Sequence, residues 1–201
     1  VTFGGITVKL KGTGTLTNNN FVSGDYQATG TGAGLSGDGS TKYIDTGLND
    51  NTLSADDVSL SVYSTDVGTT GGGLIACASE DEIKTIFRSQ SGRIDFALPN
   101  DDARYEYSFV SGGGNFIASR RGVNDVEYYV DGNSVYTDTS TASQNTNNAN
   151  YELFNYSLGS FESNATLTFA HIGSGLTDTD ASNLTNRVET LMDALGCGVI
   201  S

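Results

Sequence analysis

The chain has 201 residues and a formal net charge of -14, with ten lysines and arginines against 24 aspartates and glutamates. That balance excludes nucleic acid and membrane insertion, since nucleic acids and anionic bilayers are both held through basic footprints. Twenty-six glycines against one proline, with ten tyrosines and nine phenylalanines, describe one turn-rich β domain with the aromatic mass for a core, which rules out a helical bundle or a disordered chain.

Period-two alternation marks the strands in chain order. Ile6, Val8 and Leu10 against Thr7, Lys9 and Lys11 predict a first half-buried strand. Residues 17–41 read as loops around short extended pieces near Phe21 and Tyr26, followed by a strand from Lys42 to Thr46. Val58, Leu60 and Val62 alternate with Ser59, Ser61 and Tyr63, which predicts a sheet with one wet face. Leu74 to Ala78 reads as a buried strand, and Thr85 to Arg88 with Arg93 to Leu98 as a hairpin. Tyr105, Tyr107 and Phe109 alternate with Glu106, Ser108 and Val110, and Asn115 to Arg121 supplies another strand. Val126 to Val130 and Ser134 to Thr137 flank Asp131-Gly132-Asn133, where Asp-Gly takes the positive φ that a tight hairpin needs. After a polar loop over residues 139–150, Tyr151 to Tyr156 and Thr166 to Ile172 complete the strands.

The period then changes. Leu184, Val188, Leu191 and Leu195 fall at helical spacing, so they predict an amphipathic helix over residues 178–195 with this stripe on the sheet. Thr177 and Asp180 form a capping box, Leu176 can staple Ala181 across it, and Gly196 supplies the stop. The predicted fold class is all-β: a two-sheet antiparallel sandwich with one C-terminal amphipathic helix. Cys77 and Cys197 are expected as inert buried thiols, with pairing across the fold as the alternative.

The stretch Gly34-Leu35-Ser36-Gly37-Asp38-Gly39-Ser40-Thr41-Lys42-Tyr43-Ile44 resembles the opening of concanavalin A-like (laminin-G-like) domains of phage virion and marine bacterial surface proteins. Phe116 to Arg121, Tyr128 to Gly132, and Phe169 to Thr177 leading into the helix that ends Ala194-Leu195-Gly196 agree with it, so the resemblance covers roughly residues 34–196. It implies a jelly roll over residues 34–201 and leaves residues 1–33 as an N-terminal strand and loop segment for attachment. It also implies a non-enzymatic virion or cell-surface module for adhesion and glycan binding, with host polysaccharide and other virion or surface proteins as partners and with homo-oligomers possible in principle. The alternatives are a purely structural virion subunit, such as a head decoration or tail component, and a glycan-cleaving enzyme. The expected location is the virion surface or the extracellular space, and a chain that begins without a basic and apolar leader fits either.

The chemistry bearing on those alternatives is sparse. A serine or cysteine triad needs a histidine base, and the sole histidine, His171, shares a predicted strand face with Leu167 and Phe169, the setting of a structural residue. One histidine and two distant cysteines give no zinc set, and the acidic pairs Asp56-Asp57 and Asp101-Asp102 lack a calcium-loop spacing, so no metal and no cofactor is expected. Glycoside hydrolysis needs two facing carboxylates, whereas Glu80-Asp81-Glu82 are contiguous and diverge, and Asp95, Glu106 and Glu127 stand alone on strands. Tryptophan is absent, so sugar stacking falls to tyrosines: Tyr63, Tyr105, Tyr107, Tyr129 and Tyr151 lie on predicted strands. The candidate glycan-binding residues are Tyr105, Tyr107, Arg120 and Arg121. The two arginines, adjacent on a strand, face opposite ways, so that one anchors an acid inside while the other meets solvent.

Overall fold

The computed structural model describes residues 14–78, 83–89, 92–98, 104–109, 112–156 and 161–200. Within them, two seven-stranded antiparallel sheets pack face to face as a jelly-roll sandwich with one C-terminal helix. Sheet A runs β1 (Thr17–Asn19), β4 (Tyr43–Asn49), β13 (Asn150–Leu153), β6 (Gly72–Ala78), β7 (Ile83–Ser89), β8 (Arg93–Ala97), β9 (Tyr105–Ser108). Sheet B runs β12 (Asn133–Asp138), β11 (Asp125–Val130), β10 (Gly114–Gly122), β5 (Val58–Asp66), β14 (Thr166–Gly173), β3 (Gly34–Ser36), β2 (Tyr26–Gln27). The predicted strand Ile6 to Leu10, the run Glu80-Asp81-Glu82 and the pair Asp101-Asp102 lie outside the described residues.

The inner faces carry the alternating apolar sets: Val58, Leu60, Val62, Phe116 and Tyr128 from sheet B meet Ile75, Ile86, Ile94, Phe96 and Tyr151 from sheet A in one buried cluster. Register aligns them, with Phe116 opposite Val62 and Ala118 opposite Leu60. Each such side chain withdrawn from water contributes about 1.5–3 kcal/mol before entropy is charged against it. At one margin, stacked rings join the sheets, with centroids 5.1 Å apart for Phe96 and Tyr128 and 4.7 Å for Tyr105 and Tyr136. Residues 14–33 are built into both sheets, because β1 pairs with β4, β2 pairs with β3, and Phe21 is buried against Phe154.

The helix α1 (Asp178–Ala194) begins as the capping box predicts: Thr177 Oγ1 accepts the Asp180 N–H, and the Asp180 carboxylate accepts from Thr177. Leu176 and Ala181 pack together on Ile117 and Tyr129, and Gly196 closes the helix at φ 73°. The buried stripe differs from the predicted one. It is Ala181, Thr185, Val188 and Met192, while Leu191 and Leu195 are 51% and 39% exposed. The reason is polar: Thr185 Oγ1 accepts from Asn115 Nδ2 at 2.8 Å, so a threonine holds a central position that apolar periodicity skips.

Two further expectations fail for related reasons. The face bearing Ser59, Ser61 and Tyr63 is not wet, since α1 lies over it and all three are fully buried. Ser61 donates to Asn115 Oδ1 and Ser59 to the Ser174 carbonyl, which meets the need of a hydroxyl withdrawn from water. In β14, Leu167 pairs with Ser64 and Phe169 with Tyr63, so Thr168 is an extra residue. That bulge turns Leu167 into the core while Phe169 packs on the helix side, so the two do not share a face.

Candidate functional site

With α1 over the outer face of sheet B, the outer face of sheet A is the one that no described helix covers. Its residues follow from alternation: where Ile44, Tyr151, Cys77, Ile86 and Phe96 point into the core, Asp45, Glu152, Ala76, Thr85, Asp95 and Ala97 point outward. Register places Asp45, Glu152, Ala76, Thr85 and Ala97 in one row across five strands. The middle of the row is small and buried, and its first two members are acids held by amides. Asn150 Nδ2 donates to Asp45 at 3.1 Å, and Asn155 Nδ2 donates to Glu152 Oε2 at 2.8 Å.

Beside this row, β8 and β9 carry a four-residue charge ladder. Asp95 and Glu106 are register partners, so they do not stand alone as the sequence suggested. Arg104 Nη2 donates to Asp95 Oδ2 at 2.8 Å and lies 3.8 Å from Glu106 Oε1, and Arg93 Nη1 donates to Glu106 Oε2 at 2.5 Å. Asp95 is 3% exposed, yet its Oδ1 has no hydrogen-bonding protein partner, and neither has the buried Nε of Arg93. Glu127 is not solitary either, because it accepts from Arg121 Nη2 at 2.9 Å.

An aromatic pair borders β6. Tyr156 and Phe161 meet edge to face with centroids 6.1 Å apart, and Phe161 is 52% exposed. The Phe161 carbonyl accepts the Gly73 N–H, and a Cβ at Gly73 would stand 2.2 Å from the Asn155 carbonyl oxygen. The absent side chain of Gly73 is therefore what lets the main chain of Asn155 and Tyr156 approach β6.

The four residues picked from the sequence are not brought together. Tyr105 and Tyr107 turn inward from β9, Tyr105 stacked on Tyr136 and Tyr107 tilted 6.5 Å from Phe109. Arg120 is fully buried and donates to the carbonyls of Val123, Thr141, Gly122 and Leu98, so it anchors main chain and not an acid. Arg121 takes the acids: Asp125 and Glu127 at 2.9 Å and Asp178 at 3.6 Å. The hydrogen bond to Asp125 chiefly holds its guanidinium above the ordinary value. Sequence reasoning missed Arg93, Arg104, Tyr156 and Phe161. A signal existed in Arg93-x-Asp95 and Arg104-x-Glu106, two charge pairs at strand spacing on consecutive strands.

His171 Nε2 lies 3.3 Å from Ser59 Oγ, but that hydroxyl already donates to the Ser174 carbonyl at 2.7 Å and is buried. Burial lowers the His171 pKa. Its folded value thus lies below the unfolded one, near 6.5, and the stability that this neutral imidazole confers is lost as pH falls through that window. The thermal midpoint of His171→Gln is expected to fall less between pH 7 and pH 5 than that of the parent chain, and equal slopes would refute the assignment. Both cysteines are unpaired and buried, and burial pushes the Cys77 thiol up to about 12. Among the described residues no three histidine, cysteine, aspartate or glutamate side chains gather as a metal set, and no helix is long and apolar enough to cross a membrane.

These features define an antiparallel jelly-roll β-sandwich with one helix-covered sheet and one polar, aromatic-bordered sheet. No family model matches the chain, and no curated protein does. Among solved structures, it is similar to domain 4 of AbnA, an extracellular GH43 arabinanase from Geobacillus stearothermophilus, solved in complex with arabinotriose. The TM-score is 0.58 and the identity 16%, over 87% of this chain and 88% of that one. It is also similar to the receptor-binding domain of botulinum neurotoxin D, with TM-score 0.63 and 11% identity over 87% of this chain, although it spans only 48% of that one. A type C neurotoxin structure, whose cell entry depends on two ganglioside molecules, matches at TM-score 0.54 and 14% identity over 74% of this chain and 40% of that one. At these identities the likeness is one of fold.

Proposed function

We propose that the chain is a non-enzymatic carbohydrate-binding module, serving adhesion at a virion or cell surface through the outer face of sheet A. One observation carries this: of the two outer sheet faces, one lies beneath α1, and the other carries acids, amides and arginines and is bordered at β6 by Tyr156 and the exposed Phe161. Polar groups for hydroxyls next to a ring for a sugar face is the combination that saccharide recognition needs. The arabinotriose-bound and ganglioside-dependent neighbours support the same ligand class. Asp95 and Glu106 are each occupied by an arginine, which favours binding over hydrolysis. Attachment to a larger particle is assigned to the N-terminal segment, residues 1–33, whose residues 14–33 pair with both sheets.

A glycan array probed with the full chain at physiological salt is expected to give reproducible hits, and Phe161→Ala to weaken them about tenfold while leaving the thermal midpoint unchanged. Silence across a broad array would favour a purely structural subunit. Release of reducing ends from bound polysaccharide would reinstate the enzymatic alternative.

A further inference from the structure

The helix α1 buries Ala181, Thr185, Val188 and Met192 against sheet B. Beside that stripe runs a second one, Asp180, Leu184, Arg187, Leu191 and Ala194, which repeats at four and three residues, the spacing of a seam between two helices. Leu184 is half-buried and the other four are exposed, Leu191 to 51%. The C-terminal tail runs along the opposite flank: Ile200 N–H donates to Glu189 Oε1 at 3.1 Å, and Glu189 lies about 160° round the helix from Leu191. We infer that this seam is an isologous interface on which a second copy of the chain docks, helix against antiparallel helix. The inference goes beyond the carbohydrate reading and rests on different residues.

Charge identifies the occupant. Among the described residues every other lysine and arginine side chain has a hydrogen bond or an ion pair, and Arg187 has neither. An unpaired guanidinium between two leucines fits a surface that sets an acid within an apolar row, and α1 is itself such a surface. Its first turn holds Asp178 and Asp180, its last turn holds no cation, and Asp180 spends only Oδ2 on the helix cap. Asp180 and Arg187 stand seven residues, about 10 Å, apart along the seam. An antiparallel copy therefore brings each Arg187 level with Asp180 of the other, twice by symmetry, with Leu184 between the two pairs and Leu191 beyond them. A parallel copy in register would set arginine beside arginine. Two chains of net charge -14 repel at a distance, but physiological salt screens charges separated by more than about 8 Å and leaves the contacting pairs. A seam on one helix is smaller than the standard interface of about 800 Å² per partner, so the dimer is expected to dissociate at tens of micromolar, on the order of a transient contact. Because α1 lies on sheet B, this dimer leaves the outer face of sheet A free in both copies.

The test is sedimentation of the full chain at physiological salt, over concentrations from about 5 to about 500 µM. The parent is expected to pass from monomer to dimer across that range, and Leu191→Glu and Arg187→Glu each to weaken association by about tenfold or more. Exchange of charge gives the sharper reading. Arg187→Glu and Asp180→Arg copies are each expected to stay monomeric alone and to dimerise when mixed, because only the mixed pair sets opposite charges at both contacts. Asp180→Arg keeps the Thr177 bond to the backbone N–H of residue 180. Thermal melts check the fold, and if Asp180→Arg is unfolded, the two exposed-site variants Leu191→Glu and Arg187→Glu decide alone. A parent that stays monomeric throughout would overturn the inference and leave the seam to an acidic partner of another sequence. A dimer that neither Leu191→Glu nor Arg187→Glu weakens would overturn it as well, since the interface would lie elsewhere. Glycan binding is read separately on the array, so hits from a monomeric parent would sink the dimer alone, and a silent array beside a seam-dependent dimer would sink only the carbohydrate reading.

Discussion

Lys84→Met is expected to cost about 3–5 kcal/mol of folding stability, read as a lower urea midpoint with an unchanged slope. Lys84 Nζ donates to both oxygens of Asp50, at 2.6 and 2.7 Å, and both side chains are fully buried at the end of the sandwich core. Tyr151 donates its hydroxyl to Asp50 Oδ1 at 2.6 Å, and the Asn147 N–H donates to Oδ2 at 2.8 Å. Burial, then the charge of Asp50, pushes the Tyr151 hydroxyl well above its ordinary value, so it remains a donor at any working pH. Methionine fills most of the lysine volume, and the loss is therefore electrostatic: a carboxylate stays in the core with two neutral donors and no cation. Adding Asp50→Asn to Lys84→Met removes that stranded charge while keeping an acceptor for Tyr151, so the double variant is expected to recover part of the loss. A single variant within about 1 kcal/mol of the parent, or a double variant that adds the two losses, would show that the pair is not coupled in this way.

What the sequence disclosed was what local chemistry writes. The Asp131-Gly132 turn, with φ of 53° and 79°, and the Thr177–Asp180 cap depend on a few adjacent residues, and both stand where predicted. The Gly34 to Ile44 stretch is also local in meaning. Gly34 and Gly39 adopt φ of 134° and 72°, and a Cβ on Gly37 would sit 2.0 Å from the Ser163 carbonyl oxygen. Asp38 Oδ1 accepts three successive backbone N–H groups from Ser40 to Lys42. Burial works to raise that carboxyl, but these hydrogen bonds and the Thr41 hydroxyl prevail and hold it well below the usual carboxylate range. The motif is thus a recipe for one tight corner, which is why it speaks to fold and says little about function.

Long-range register could not be read in the same way. Asp95 and Glu106 become neighbours only because β8 and β9 pair as they do, and Tyr156 meets Phe161 where both Asn155 and Phe161 lie against Gly73. The bulge at Thr168 reverses which residues of β14 face the helix, and no alternation pattern announces it. Counting inward and outward positions within a strand succeeded for the core, where one apolar face suffices. It failed for the candidate site, which is assembled from outward residues of several strands.

The two adjacent arginines offer the sharpest contrast between position and role. Arg120→Met is expected to cost about 3 kcal/mol, and Arg121→Met at most about 1 kcal/mol. Neighbours on one strand point to opposite sides. Arg120 points into the sandwich, where its Nη1 reaches the Val123 carbonyl at 2.6 Å and the Thr141 carbonyl at 3.2 Å, and its Nη2 reaches the Leu98 carbonyl at 3.0 Å. One guanidinium thereby joins three segments, and methionine would take this donor from the Thr141 and Leu98 carbonyls, while the Val123 carbonyl keeps the Ser143 N–H. Burial lowers the Arg120 pKa, and arginine stays charged nonetheless, so the clamp holds across the accessible pH range. Arg121 spreads over Asp125, Glu127 and Asp178 in partial contact with water, where each pair is weakened by solvent. Salt separates the two mechanisms as well: raising it to 1 M is expected to shrink the Arg121→Met loss and leave that of Arg120→Met intact. Equal losses that respond equally to salt would mean that the buried clamp and the surface network share one origin, contrary to the geometry.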